Sequence, residues 1–277
     1  MGRPLTNSAK NMPIMQRAVG EVDLVMESGN LRRCFQSGSA KLLLPKTYSP
    51  SSEAVLINTA GGLAEGDVFT FRLEASDQTD LTVTTQAAER VYGAGGSRCA
   101  HLNIDITITD GASLYWLPQE TIIFDSGRLA RSLLVQMDQS SSFLASEITV
   151  FGRKAMNETV RYGFLNDQWR IYSQDKLIHA EAIWLDGPIA EKLADCAAAA
   201  DMSCLATILW VAEGVEQHVK SARAYFDTTP QVHAVVSCWN GKLVIRCLAD
   251  EAKEIKAALS GCLHLLRGFD VPRVWNI

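Results

Sequence analysis

Phe143-Leu-Ala-Ser-Glu-Ile-Thr-Val-Phe151 is the stretch that decides how this chain is read. Its β-branched and aromatic residues make a strand, the polar cluster Asp138-Gln139-Ser140 precedes it, and one carboxylate, Glu147, stands in an otherwise nearly apolar run. The same grammar extends in both directions. From Val55 to Trp184, short β-branched or aromatic runs alternate with clusters such as Ser76-Asp77-Gln78 and Thr109-Asp110-Gly111. The residue that reopens a strand after each cluster falls at Leu81, Leu114, Phe143 and Leu177, spaced by 33, 29 and 34 residues with two strands per unit. A tier of about 30 residues cannot bury both faces of its own strands, so neighbouring tiers must cover them. The expected fold is mainly β, a layered or β-helix-like stack of short strands, with an irregular sandwich as the alternative.

The texture changes after Gly187-Pro188. Ala190 to Ala200 is alanine-rich, and Glu213 to Phe226 sets Val215, Val219, Ala222 and Phe226 at helical spacing. Asn240-Gly241, between Val235-Val236 and Leu243-Val244-Ile245, predicts a type I′ hairpin. Asp250 is expected to cap a second helix that carries Ile255, Leu259, Leu263 and Leu266 and ends at Gly268. Two helices toward the C-terminus are thus expected. No linker rich in Pro, Gly or Ser sets them apart, so residues 1–277 are expected to form one domain.

Composition bounds the function. An apolar content of 47% is ample for a buried core, and 26 basic against 31 acidic side chains give a net charge of -5. No broad basic face follows, which argues against a nucleic-acid partner. Arg3, Lys10 and Arg17 precede no apolar leader, and the run Cys204 to Ala212 is shorter than the roughly 18 residues a span needs, so a cytoplasmic chain without a membrane partner is expected. Seven cysteines include no C-x-x-C pair and five histidines no H-E-x-x-H. Any metal site must be assembled from distant segments.

Glu147 has a counterpart in Glu181, within Leu177-Ile-His-Ala-Glu-Ala-Ile-Trp184. Both fall at the fifth position of their tier, where the preceding tiers carry Thr85 and Pro118, and His179 shares a strand face with Glu181. Acids in apolar strands are costly unless paired or wet. Two readings stay open: a column of oxygen ligands, or structural acids that are solvent-exposed or paired with Arg153, Arg161 or Arg170. A hydrolase using Glu147, His179 and Glu181 is the rival function; Ser146 adjoins, but no G-x-S-x-G elbow is present. Arg128, Arg131, Arg153 and Lys154 are expected on exposed turns, as solvated charge or as partner contacts. Tyr115, Trp116, Trp169 and Trp184 would join such contacts if exposed.

Four segments carry a family resemblance: LINTAGGLAEGD (Leu56 to Asp67), TTQAAERVY (Thr84 to Tyr92), LPQETIIFDSGRLARSLLVQMDQSSSFLASEITVFGRKAMNE (Leu117 to Glu158) and the closing VPRVWNI (Val271 to Ile277). Together they resemble the UreD family of urease accessory proteins over nearly the full length. The resemblance implies a non-enzymatic scaffold for nickel delivery that binds apo-urease on one side and UreF on the other, with the GTPase UreG reached through UreF. It implies no tightly bound cofactor, only nickel in transit. Under it Asp67, Thr85, Glu147 and Glu181 become candidate stations of a transient nickel passage, with Asp67 alternatively a turn-capping acid. Carboxylate and hydroxyl oxygens hold nickel less tightly than imidazole or thiolate, which suits transit. The glycine motif Ala60 to Asp67 lacks the G-K-[ST] of a P-loop, consistent with GTP chemistry residing in a partner. Two departures stand out: Glu65 where the family usually has glycine, and Gly93-Ala94-Gly95-Gly96 where it more often has an arginine-serine pair.

Overall fold

The computed structural model of the chain describes residues 17–93, 95–153 and 158–276. Arg3, Lys10, Ala94 and Lys154, which enter the sequence reading, lie outside them. The described residues open with a hairpin, β1 (Val19–Glu27) and β2 (Asn30–Gly38), in one sheet and cross to a second for β3 (Ala40–Leu43) and β4 (Ser52–Asn58). Coils follow that lay one strand in each sheet: β5 (Val68–Ser76) then β6 (Asp80–Thr85), with the short β7 (Glu89–Val91); β8 (Ala100–Ile108) then β9 (Ser113–Trp116), with the short β10 (Thr121–Ile123); and β11 (Arg128–Met137) then β12 (Ser142–Phe151). Successive coils pair in parallel in both sheets. β7 and β10 add a parallel ladder beside the end of β12.

One more parallel strand and then antiparallel additions close the stack. β13 (Tyr162–Ser173) joins the first sheet beside β11, and β14 (Lys176–Pro188) folds back on it as the edge. After α1 (Ile189–Ala194), β15 (Cys204–Val211) extends the second sheet. A 3-10 turn at Val215–His218 leads into α2 (Val219–Asp227), and β16 (His233–Trp239) and β17 (Lys242–Ala249) complete that sheet before α3 (Ala252–Arg267). The fold is mainly β, a stack of solenoid-like coils with the helices toward the C-terminus, as expected.

The expected register holds through three tiers. Leu81 is the direct partner of Leu114, and Leu114 of Phe143. Leu177 breaks the series: it lies on β14 in the opposite sheet, across from Tyr172, and is exposed. The reason is connection length. β5 to β6, β8 to β9 and β11 to β12 are joined by three or four residues, enough to arc between sheets, whereas only Gln174 and Asp175 join β13 to β14. Both have positive φ, and a two-residue turn of that kind returns the chain as a hairpin in the same sheet.

β12 explains its own apolar composition. Phe143, Ala145 and Phe151 join the core between the sheets, while Leu144, Ile148 and Val150 point the other way, into a second core under the helices. Strands buried on both faces read as continuous apolar runs. Ile255, Leu259, Leu263 and Leu266 of α3 fill that second core, so the apolar stripe of this helix is covered by the chain's own sheet.

Helix boundaries depart from expectation in three places. α1 forms a third helix within the alanine-rich stretch. α2 begins only at Val219, because Gly214 is left-handed at φ 74° and a 3-10 turn intervenes. The residue preceding α3 is Glu251, whose carbonyl accepts the Glu254 and Ile255 N–H groups, rather than Asp250. Gly268 does end α3 in the left-handed conformation, and Asn240-Gly241 forms the expected turn with both φ values positive. Among the described residues no helix is long and apolar enough to cross a membrane.

Candidate functional site

Between the sheets the core is not dry throughout. A cavity of about 160 Å³ opens at a rim where the exposed Gly61 and Ala87 adjoin Asn58 and Glu89, is lined by Thr85 and Gln119, and reaches the buried Trp116, Thr121, Arg131 and Glu147. The rim is a backbone device. Gly62 has φ +148°, and a Cβ there would fall 2.7 Å from the Arg90 carbonyl oxygen, so only glycine lets the loop close on β7. Asp67 fixes the same loop: its carboxylate oxygens accept the Ala18 N–H at 2.7 Å and the Ala64 N–H at 2.8 Å. Both oxygens are thus taken by backbone, and Asp67 does not line the cavity.

Glu89 stands at the rim with Asn58 Nδ2 donating to its Oε1 at 3.0 Å. Burial pushes its carboxyl up to about 7, with the Asp67 charge adding to the rise. Nearby, Thr85 Oγ1 accepts the Gln119 N–H at 2.9 Å and donates to the Ala87 carbonyl at 3.1 Å.

The inner wall is an ion cluster. Arg131 forks onto Asp167, Nε to Oδ1 at 3.0 Å and Nη2 to Oδ2 at 2.6 Å, while its Nη1 pairs with Glu147 and donates to Thr121 Oγ1 at 3.2 Å. Trp116 Nε1 donates to Glu147 at 2.7 Å. All three charged side chains are at most 5% exposed. One guanidinium thus faces two carboxylates in the buried core. Burial raises the Glu147 carboxyl, Arg131 pulls it down and Asp167 adds to the rise; the net direction is up.

Beyond the cluster lies a second void of about 20 Å³, lined by Arg131, Glu147, Asp167, Trp169, Glu181 and Thr207 among others. At its far side, on the edge strand, Glu181 takes Arg246 at 2.8–3.1 Å through both carboxylate oxygens. His179 Nε2 lies 3.4 Å from Glu181, within ion-pair range but outside hydrogen-bond geometry. Burial raises the Glu181 carboxyl, but His179 and Arg246 outweigh it and its pKa lies below the ordinary value.

Glu147 and Glu181 therefore meet around one void, though from facing sheets rather than from one column. Their partners are Arg131 and Arg246, not Arg153, Arg161 or Arg170: Arg153 pairs with Glu158, Arg161 with Asp125, and Arg170 donates to the Glu181 carbonyl rather than its carboxylate. Arg131 corrects the expectation of an exposed turn. It shares the inward face of β11 with Leu129, Leu133 and Val135, and that parity was the signal for its burial. Arg128 is half-buried over the Phe164 ring, and Arg153 is exposed. Of the four aromatics, Trp184 is exposed, Tyr115 is partly buried, and Trp116 and Trp169 are core. Ser146 faces the helices, opposite Glu147, and Glu147 and Glu181 are each held by an arginine. Glu89 was not singled out from the sequence, although it is the only acid in TTQAAERVY. Among the described residues no three His, Cys, Asp or Glu side chains are grouped to hold a metal ion.

The sequence matches the family described as "UreD urease accessory protein" over residues 18–276. The chain belongs to the UreD family. A protein named urease accessory protein UreD from Agrobacterium fabrum is 40% identical over 267 residues, covering 95% of this chain and 92% of the relative. The UreD of Azorhizobium caulinodans is 37% identical over 269 residues, 96% and 98% of the two chains. Every residue of the rim, the ion cluster and the Glu181 edge lies within the UreD match. Glu65 bends over Gly96, whose missing side chain leaves it room, and accepts the Arg98 N–H at 3.1 Å.

Proposed function

We propose that this chain is a urease accessory scaffold that passes nickel to apo-urease through the space between its sheets, receiving it from UreF and, through UreF, from the GTPase UreG. The observation that carries the reading is the pair of cavities sharing the Arg131 and Glu147 wall, with an opening at Glu89 and an arginine-held carboxylate, Glu181, at the other end. A route with two ends suits a chain that takes an ion from one partner and yields it to another. Its oxygen donors, Thr85, Glu89, Glu147 and Glu181, bind nickel weakly and exchange it readily. Asp67 enters the proposal as the residue that shapes the rim.

The docking faces we assign to the two ends of the stack. The apolar stripes of α2 and α3 are occupied by the second core, so partners meet exposed strand residues instead: Trp184 and Leu177 on β14 with Val235 and Trp239 on β16 at one end, and Leu31 and Phe35 on β2 at the other. The test uses Glu147→Gln with Glu181→Gln, which removes charge while keeping shape, in cells that also supply the urease subunits, UreF and UreG. Nickel per urease and urease activity should fall together while the accessory complex still copurifies. A full nickel complement in the doubly substituted system would refute the passage.

A further inference from the structure

A fixed cation stands across a route proposed for a cation. Arg131 lines both cavities, and its guanidinium is held unequally by the two sheets. Two of its nitrogens fork Asp167, the residue directly beside it across the β11 and β13 ladder, within the first sheet. Only Nη1 reaches the second sheet, to Glu147 and to Thr121 Oγ1. Breaking that one crossing leaves Arg131 with two charged hydrogen bonds and leaves Glu147 with Trp116, facing both cavities. The inner void is large enough for about one water molecule, and Trp169 Nε1, buried and without a partner, lines it.

We propose that Arg131 is the gate of the passage and sets which ions cross it, with Asp167 its hinge and Glu147 its latch. A divalent ion arriving at Glu147 offers twice the charge of the guanidinium, takes over the carboxylate and frees Arg131, still forked on Asp167, to swing off the crossing with that carboxylate, which joins the two cavities. A monovalent ion offers no more charge than the guanidinium and leaves the crossing shut. The gate rests on the conduit reading above.

The experiment measures the melting temperature of the purified full chain with NiCl2, with KCl at matched ionic strength as control. In Arg131→Met the two carboxylates lose their cation, and nickel should replace it. The variant should gain roughly 5–10 °C at nickel about 100-fold above its Kd. KCl should not produce the gain, adding Glu147→Gln should abolish it, and the unsubstituted chain should show little. A folded Arg131→Met that ignores nickel, or responds equally without the Glu147 carboxylate, overturns the gate. If Arg131→Met does not fold, Arg131→Lys carries the same test, since a single ammonium cannot fork Asp167 and span to Glu147. Should both fail to fold, nickel-dependent refolding supports the gate and its absence overturns it. Delivery separates the two claims. Intact nickel delivery in the Glu147→Gln, Glu181→Gln variant sinks the conduit itself. Reduced delivery there, beside Arg131 variants indifferent to nickel, leaves the conduit and sinks only the gate.

Discussion

At the Arg131 crossing one guanidinium is shared by two carboxylates, all three buried, whereas at the Arg246 edge one carboxylate is shared by a guanidinium and an imidazole beside solvent. The difference is one of dielectric and of charge balance. In the crossing, charges interact strongly and removing one member leaves another uncompensated; at the edge, where Arg246 is 55% exposed, water takes over what is lost. The crossing is therefore expected to act on folding and on transit alike, and the edge on transit alone.

The largest effect should come from the guanidinium. Arg131→Met strands two buried carboxylates and should cost about 3–5 kcal/mol, read as a lower urea midpoint in the absence of nickel. Glu147→Gln leaves the Arg131 and Asp167 pair intact and keeps a group for Trp116 to donate to, so the loss should stay near 1–2 kcal/mol. Equal losses for the two would mean that Arg131 and Glu147 form a simple pair.

Glu89 offers an intermediate case at the rim. Its folded-state pKa of about 7 lies above the ordinary carboxyl value, so the folded chain holds a proton that the unfolded chain has released. Stability is then lost as pH rises from the ordinary carboxyl range through 7, and the penalty is fully present above it. Glu89→Gln should flatten this dependence and stabilise the chain at pH 8 by on the order of 1–3 kcal/mol. Urea midpoints at pH 6 and pH 8 decide the matter; an unchanged slope in the variant assigns the titration to another group.

How far the sequence carried this picture follows from the range of each signal. Strand periodicity is local, and it placed Leu81, Leu114 and Phe143 in true register because each of those connections crosses between sheets. It failed at Leu177, where a difference of one or two connecting residues turns a crossing into a hairpin, a distinction that spacing near 30 residues does not resolve. Glu147 and Glu181 were legible as misplaced charges, yet their partners lie on other strands, and a guanidinium reaching across the core leaves no local trace beyond the inward parity of Arg131. Glu89 opens the short strand β7 and is half-buried in a stretch whose polarity looks ordinary; only the Asn58 contact and the cavity wall mark it.

The smallest effect on stability, and the sharpest use of the comparison, belongs to the edge. A double-mutant cycle of Glu181→Gln and Arg246→Gln should return a coupling of about 0.2–1 kcal/mol, because an ion pair with one largely exposed member is worth little. The coupling should shrink as salt is raised, since screening acts within about 10 Å at 0.1 M, whereas the loss in Arg131→Met should hold. Nickel delivery by Glu181→Gln should nonetheless fall, because a carboxylate at the mouth of the inner void is lost while the fold is untouched. Stability and transit would then separate at the edge and remain joined at the crossing. If Glu181→Gln lowers the urea midpoint as much as Glu147→Gln does, the edge belongs to the core and the contrast collapses. If it changes neither stability nor delivery, Glu181 is a surface ion pair, and nickel leaves the inner void by another side.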